Sequence, residues 1–290
     1  MRRFVIALLP ALVAIGCGKE RAPGPQRAET APAAGAAAPV DTSAFPPAAR
    51  EFWKTLDTTP AAELVAPSST SESARYLNVR DIGFGASTHR WSVAEGKKGS
   101  CELRVLVHRG ETTAARVECR DDSFAVREPP RVSERWTHAA RLARLRGEVE
   151  KVLGPRPDVS IPESLVGDVR MLEAPLSLLT FGGGCGDDGQ PTEGSIATKR
   201  IVDAGRLDIL RAVVRGLSPE GRLFAAEALL HAKHGKATAD DRAVVEKIRL
   251  LPGLARTCAG CIHRQSSACE ALAPSMPGNA APCPSAPAPR

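Results

Sequence analysis

Alternating apolar and polar residues form the clearest pattern in the chain, and they lie between Cys101 and Cys119. The odd-numbered positions of the two arms are apolar or small: Cys101, Leu103, Val105, Val107, Thr113, Ala115, Val117 and Cys119. A period of two predicts a β-hairpin with one buried face, which turns at 109–111. This register places Cys101 opposite Cys119 and predicts a disulfide between them. It also brings opposite charges together on diagonal neighbours, in the pairs Glu102–Arg116 and Arg104–Glu118.

A helical period dominates most of the remaining chain, although strands are predicted from about Tyr76 up to the hairpin. Prolines at first-turn positions mark several helix starts. Ser218 predicts a helix cap, and Thr238 with Asp241 predicts a capping box. The predicted helices cover residues 48–56, 60–65, 133–153, 162–172, 175–181, 195–204, 207–215, 219–233 and 239–250.

These elements predict an α+β protein. Residues 46–157 are expected to form an N-terminal antiparallel sheet with flanking helices, and residues 158–273 a helical region that contains four cysteines. On either side of these two parts, residues 17–45 and 274–290 are rich in alanine and proline and have no hydrophobic period. That composition is typical of a disordered tether and a disordered tail.

The first seventeen residues have the organisation of an export signal. Arg2 and Arg3 precede an apolar run, 4–15, which is shorter than the roughly 20 residues of a permanent membrane helix. Small residues then lead to Cys17. Residues 1–16 are therefore predicted to be a cleaved signal peptide.

The sequence Ala14-Ile15-Gly16-Cys17 resembles the lipobox of bacterial lipoproteins, with alanine at the position where that family most often has leucine. The resemblance implies that Cys17 carries lipid, palmitate included, and anchors the protein to a membrane of the cell envelope. Gly18 stands where an aspartate would resemble the family's inner-membrane retention signal. We therefore expect attachment to the outer membrane, on the side that faces the periplasm.

Charge and aromatic content do not favour a nucleic-acid partner. The formal net charge is +6, and loss of Arg2 and Arg3 with the signal peptide lowers it by two. A nucleic-acid binder would cluster basic and aromatic residues on one face, whereas one Tyr, three Trp and seven Phe are spread along the chain. One basic stripe is either a docking surface for an acidic partner or lipid headgroups, or a solvated helix face. It consists of Arg131, Arg135, Arg141, Arg144 and Arg146.

Eight cysteines in an exported chain favour disulfides, because the compartment is oxidising. With Cys17 and the hairpin pair assigned, four cysteines remain for two further disulfides: Cys185, Cys258, Cys261 and Cys269. We favour Cys185–Cys261 with Cys258–Cys269, since a Cys258–Cys261 ring is the easily reduced kind, and Cys283 then stays unpaired. The same four cysteines could instead hold zinc.

Two motifs resemble cofactor sites but stand in the wrong context. Residues 184–189 match the glycine pattern of dinucleotide-binding loops, yet Gln190-Pro191 follows where a helix should begin. The run from Cys258 to Cys261 resembles a c-type haem attachment site, but Ile262 separates the second cysteine from His263. We therefore predict no cofactor.

Residues 210–230 resemble one HEAT-type helical repeat in their spacing of leucine, valine and alanine. The resemblance implies stacked helices that present an extended face to partners. His231 and His234 lie one helical turn apart at the end of this stretch and would need a third ligand to bind a metal, so surface histidines are the favoured interpretation.

These features together predict a membrane-anchored envelope lipoprotein that binds or scaffolds another envelope protein and is not an enzyme. The chain carries no recognisable frame of nucleophile and base. The alternative is a thiol-redox or metal-binding protein that uses Cys185, Cys258, Cys261 and Cys269.

Overall fold

The computed structural model describes residues 47–56, 63–64, 74–94, 100–120, 132–185, 189–231, 237–260, 262–276 and 282–283. They belong to one compact unit. The predicted signal peptide, Cys17 and the tether lie outside the described residues, as does most of the predicted tail. An antiparallel five-stranded sheet is followed by helices, which confirms the α+β prediction.

The sheet follows the order of the chain, with each strand antiparallel to the next. A short helix, α1 (Pro47–Thr55), precedes it. Its strands are β1 (Ala74–Gly83), β2 (Ala86–Ala94), β3 (Ser100–His108), β4 (Glu111–Arg120) and β5 (Val132–Thr137). The strands β1 and β5 are therefore the two edges of the sheet.

The hairpin β3–β4 has the predicted register over most of its length. Cys101 lies opposite Cys119, and a disulfide joins them. Near the turn, Leu106 lies opposite Ala114 but Val107 lies opposite Thr112, so a bulge shifts the last pairs by one residue. The alternation of apolar and polar residues does not predict this bulge or the two-residue turn at Arg109 and Gly110 that follows it.

One face of the sheet is an apolar layer closed by α1. Trp53 and Leu56 of the helical segment pack on the side chains that the alternation assigned to the buried face. The layer includes Trp91, Leu103, Val105, Val117 and Trp136. Each is at most 8% exposed, so this face is a core in its own right.

The other face is also covered, which corrects the prediction of a single buried face. Leu106 and Ala114 belong to a second cluster with residues of the helices, such as Leu145 and Leu172. The sheet and the helices thus share this core. The predicted division between residues 157 and 158 stays a prediction.

The helices have the expected order, and side-chain caps mark the starts of several of them. Ser218 Oγ accepts a hydrogen bond from the Gly221 N–H at 3.1 Å, and the capping box of Thr238 and Asp241 is present. The helices are α2 (Ala139–Leu153), α3 (Glu163–Glu173), α4 (Glu193–Asp203), α5 (Leu207–Val213), α6 (Pro219–His231) and α7 (Ala239–Arg249). The HEAT-like stretch corresponds to α5 and α6, and its resemblance stays a prediction.

Two predicted helices differ from the structure. The helix predicted over 133–153 begins only at Ala139, because residues 132–137 pair with β4 and His138 caps α2 through its side chain. The segment 175–181 is not helical. Instead, Phe181 N–H donates to the Arg256 carbonyl at 2.8 Å, so this segment joins a strand. Of the helix predicted over 60–65, only residues 63–64 are described, and these are helical.

A second hairpin lies within the region predicted to be helical. It consists of β6 (Leu254–Ala259) and β7 (Ile262–Ser267), followed by the short helix α8 (Ala268–Leu272). Gly253 and Gly83 bring this hairpin against β1 without side chains between the backbones. A Cβ on Gly83 would lie 2.6 Å from the Pro252 carbonyl oxygen, and both glycines have positive φ.

A buried ion pair between Arg80 and Glu220 ties β1 to α6, and both side chains are at most 2% exposed. Glu220 Oε1 also accepts the Arg256 N–H at 2.8 Å, so the same carboxylate holds β6. Arg222 donates to the Ile82 carbonyl at 3.2 Å, and burial lowers its pKa to about 10. These charged contacts join the sheet, the helices and the second hairpin.

Candidate functional site

Four arginines lie directly opposite one another on consecutive strands, on the face of the sheet turned away from α1. Arg90 of β2 faces Arg104 of β3, Arg104 faces Arg116 of β4, and Arg116 faces Arg135 of β5. We call this set the arginine row. Like charges directly across a sheet destabilise it, so the row requires counter-charges.

Glu102 and Glu118 supply those counter-charges for the inner part of the row. Arg104, 4% exposed, forms ion pairs with both carboxylates, and Arg116 pairs with Glu118. Arg90 Nη2 lies 2.6 Å from Glu102 Oε2. Burial by itself would raise the pKa of Glu102, but the neighbouring Arg104 and Arg90 outweigh burial and lower it.

The Arg104 guanidinium also holds the segment that follows α3. Its Nη1 donates to the Leu176 carbonyl at 2.6 Å. This contact holds Leu176, in the non-helical segment 175–181, against β3. The predicted diagonal contact Arg104–Glu118 is present, whereas the partners of Glu102 are Arg90 and Arg104.

The outer end of the arginine row opens into a cleft of about 510 Å³, bounded by β4, β5, α2, the end of α3 and the segment after α5. Six arginines line it: Arg116, Arg135, Arg146, Arg156, Arg170 and Arg215. Three carboxylates also line it: Glu150, Asp158 and Glu173. The volume lies within the range of roughly 300–1,000 Å³ that is usual for ligand sites.

The arginines of the cleft differ in what holds them. Arg156 Nη2 lies 2.5 Å from Glu173 Oε1, and Arg215 Nη2 lies 2.8 Å from Asp240 Oδ2. Arg215 is 7% exposed in its side chain, and its Nε has no hydrogen-bond partner within the described part of the chain. A buried donor of this kind is costly unless a ligand or water accepts from it.

The guanidinium groups of Arg135, Arg146 and Arg170 form neither an ion pair nor a hydrogen bond with the residues that the structure describes. All three line the same cleft. An anion can bind them without displacing a carboxylate of the described residues.

Apolar groups complete the cleft. Leu142 of α2, Leu176 and Leu217 line it together with the small residues Ala114 and Ala115 of β4. A ligand that fits this lining has to combine negative charge with apolar surface.

The basic stripe predicted from the sequence divides between two environments. Arg135 and Arg146 line the cleft. Arg141 and Arg144 instead face Glu111 at the turn of the first hairpin. Arg131 lies outside the described residues.

The sequence did not identify the other cleft arginines, Arg116, Arg156, Arg170 and Arg215. They come from β4, from the end of α3 and from the segments that follow α2 and α5, which are distant in the chain. Only the pairing of β4 with β5, which places Arg116 opposite Arg135, would have indicated part of the set.

The disulfides beyond the first hairpin differ from the favoured pairing. Cys185 bonds to Cys258, and Cys269 bonds to Cys283. Parallel bridges join Phe181 to Thr257 and Cys185 to Gly260. They place the segment that ends at Cys185 alongside β6, which accounts for the Cys185–Cys258 disulfide. Cys261 lies outside the described residues.

The remaining sequence motifs do not form a site in the described ranges. No cluster of three histidine, cysteine, aspartate or glutamate side chains is placed there to hold a metal ion. His231 is exposed and His234 lies outside these ranges. In the glycine motif, the Cys185 N–H donates to the Gln190 carbonyl at 3.0 Å, so the loop closes on itself. Residues 186–188 lie outside the described chain.

Within the described residues, no helix combines the length and the apolar composition needed to cross a membrane. The chain matches no protein-family model, no curated protein and no solved structure.

Proposed function

We propose that this chain is a lipid-anchored protein of the bacterial cell envelope that binds an anionic part of an envelope protein in the arginine-lined cleft. The observation that supports it best is that three guanidinium groups in one cleft with an apolar lining, those of Arg135, Arg146 and Arg170, have no ion-pair partner among the residues that the structure describes. Guanidinium groups form bidentate hydrogen bonds with carboxylates, so such a lining favours an acidic partner.

The anchor in this proposal rests on the resemblance of residues 14–17 to a lipobox. Burial of acyl chains contributes about 0.8 kcal/mol per methylene, so two or more chains on Cys17 hold a protein on a membrane essentially permanently. The Ala- and Pro-rich residues 17–45 would then give the folded part reach from the outer membrane into the periplasm.

Binding fits the cleft better than catalysis does. The titratable groups of the described lining are arginines and carboxylates. Arginine keeps its proton in proteins and serves as a charge and a donor, not as a proton shuttle. The six arginines of this lining therefore hold an anionic ligand in place.

The test is crosslinking in intact cells with a photoreactive residue at Thr137, which is exposed and lines the cleft. We expect a reproducible protein adduct that is lost when Arg135, Arg146 and Arg170 are all changed to alanine. The matched control changes three exposed basic residues elsewhere, Lys151, Arg242 and Arg264, and should keep the adduct.

The same experiment tests the anchor. In the Cys17→Ser variant, the protein should leave the membrane fraction or remain uncleaved, and the yield of the adduct should fall. An adduct yield that is unchanged in the triple variant of Arg135, Arg146 and Arg170 contradicts the proposed binding site. Membrane partitioning that is unchanged by Cys17→Ser contradicts the anchor.

A thiol-redox function is the second candidate, favoured by one observation. Cys258 of the Cys258–Cys261 motif is bonded to Cys185 and is only half-buried, so a thiolate could reach its sulfur. This function predicts that Cys258→Ser and Cys261→Ser each abolish thiol–disulfide exchange activity without unfolding the protein. A reproducible mixed disulfide through either cysteine in the parent protein would favour it over binding.

A further inference from the structure

The strand β5 borders the cleft and is an edge of the sheet. Arg135, Trp136 and Thr137 of this strand line the cleft. On its inner side β5 pairs with β4. Within the described chain, no strand pairs with its outer side. An edge of this kind presents unpaired backbone N–H and C=O groups, to which an extended segment of another chain can add.

We propose that the ligand of the cleft is an extended peptide segment that pairs with the outer edge of β5 and carries acidic residues alternating with apolar ones. This inference rests on the proposed function, in which the cleft is the binding site. It adds the chemical class of the ligand and the way in which the ligand binds.

The arginine row explains the acidic positions. A residue of the added strand directly opposite Arg135 would continue the row that Arg104, Arg116 and Arg135 form on one face of the sheet. Opposite charges across neighbouring strands stabilise the pair, whereas another basic residue there would repel the row. The guanidinium groups of Arg146 and Arg170, which have no ion-pair partner in the described part of the chain, are available to the next carboxylate on the same face.

The neighbouring strand residue explains the apolar positions. Trp136 points to the opposite face, where it belongs to the apolar layer with Val105 and Val117. Side chains alternate between faces along a strand, so the peptide residues between the acidic ones would lie beside Trp136. Apolar side chains there extend the layer beyond the edge of the sheet.

The carboxylates of the lining argue against a dense polyanion. Glu150, Asp158 and Glu173 stand among the six arginines. They repel a phosphate cluster or an anionic polysaccharide, and they leave separate positions for single carboxylates. A peptide with spaced acidic residues and backbone N–H donors fits lining groups of both signs.

The experiment measures binding of a synthetic peptide of alternating glutamate and valine, blocked at both ends, to the full-length protein in detergent by calorimetry. A peptide of alternating lysine and valine is the control ligand. We expect binding of the glutamate peptide alone. Arg135→Glu should weaken it by about tenfold or more, because charge reversal turns an attraction into a repulsion. Arg264→Glu, on an exposed position of β7, should leave it unchanged.

Hydrogen exchange of the same complexes tests the strand pairing. Peptide binding should slow amide exchange in residues 132–137, since an added strand gives the outer N–H groups acceptors. Binding without slower exchange there would overturn the strand addition.

The outcomes separate this inference from the proposed function. If inorganic phosphate binds and depends on Arg135 while the glutamate peptide does not bind, the peptide class is wrong and anion binding in the cleft stands. If the peptide binds equally well to the Arg135→Glu variant, the inferred site is wrong. If no anion binds and the crosslinked adduct is also indifferent to the cleft arginines, the proposed function fails as well.

Discussion

The two faces of the five-stranded sheet use the same strands for different contacts. The face under α1 is an apolar layer that also contains the Cys101–Cys119 disulfide. The opposite face carries Leu106 and Ala114 at one end and the arginine row at the other. Both faces are covered, so alternation along a strand shows which face is apolar but not which face is buried. Neighbouring elements decide the second question.

The largest expected effect tests whether both faces are cores. Leu103 and Leu106 lie on the same strand, point to opposite faces and are both inaccessible to solvent. Truncation of either one to alanine removes buried methyl groups and leaves a cavity. We expect each to lower the free energy of unfolding by about 3–4 kcal/mol, measured by urea denaturation. A cost for Leu106→Ala far below that of Leu103→Ala would mean that the helices do not close the second face.

The next effect tests the buried part of the arginine row. Arg104→Leu removes the partner of two carboxylates and the donor to the Leu176 carbonyl. Glu102 keeps Arg90 and Glu118 keeps Arg116, but both carboxylates lose their most buried partner and the Leu176 carbonyl loses its donor. We therefore expect a destabilisation of about 3 kcal/mol. The matched variant Arg135→Leu lies in the same row on an exposed edge and should change stability little. Similar losses of unfolding free energy in the two variants would contradict the conclusion that Arg104 is buried and Arg135 is exposed.

The smallest effect, when it is expressed per pH unit, concerns a titratable group on the apolar face. His89 is buried between Tyr76 and Ser87 and stacks on Trp91, and burial lowers its pKa to about 4. The unfolded chain takes up the proton near pH 6.5, whereas the folded chain does so only near pH 4. Stability should therefore fall as the pH decreases between these values, by at most about 1.4 kcal/mol per pH unit.

The measurement is urea denaturation at several pH values in this window, with His89→Gln as the control. The variant should show a smaller decrease in unfolding free energy than the parent, since its other titratable groups are unchanged. If the unfolding free energy of the parent and of the variant changes equally with pH, the burial of His89 does not set the pH dependence of stability.

Local pattern was sufficient to predict the first hairpin. A period of two and two facing cysteines gave the observed register from Cys101 and Cys119 to Leu106 and Ala114, whereas the bulge next to the turn was not predicted. The same kind of pattern failed at β5. Val132, Trp136 and Ala139 fit the spacing of a helix, but pairing with β4 makes the first two part of a strand. A contact between distant segments decided between two local possibilities.

The candidate site was predictable only in part for the same reason. Arg135 and Arg146 belong to the basic stripe that the sequence predicts on the polar face of a helix over 133–153. Arg170 and Arg215 reach the cleft from the end of α3 and from the segment after α5, and no local pattern marks them. The disulfide partner of Cys258 likewise depends on the bridge between Phe181 and Thr257, which a list of cysteine positions does not contain.

The close approach of Gly83 and Gly253 has a consequence for how this sequence can vary. A Cβ on Gly253 would lie 2.6 Å from the Gly83 nitrogen, and a Cβ on Gly83 would meet the Pro252 carbonyl oxygen at the same distance. Neither position can compensate for a side chain at the other, because both already hold the smallest residue. A saturation mutagenesis scan should therefore find two intolerant sites that are far apart in the chain. A second substitution at one glycine should not restore the stability that is lost by a substitution at the other. Relatives that differ there should have a rebuilt turn before β6.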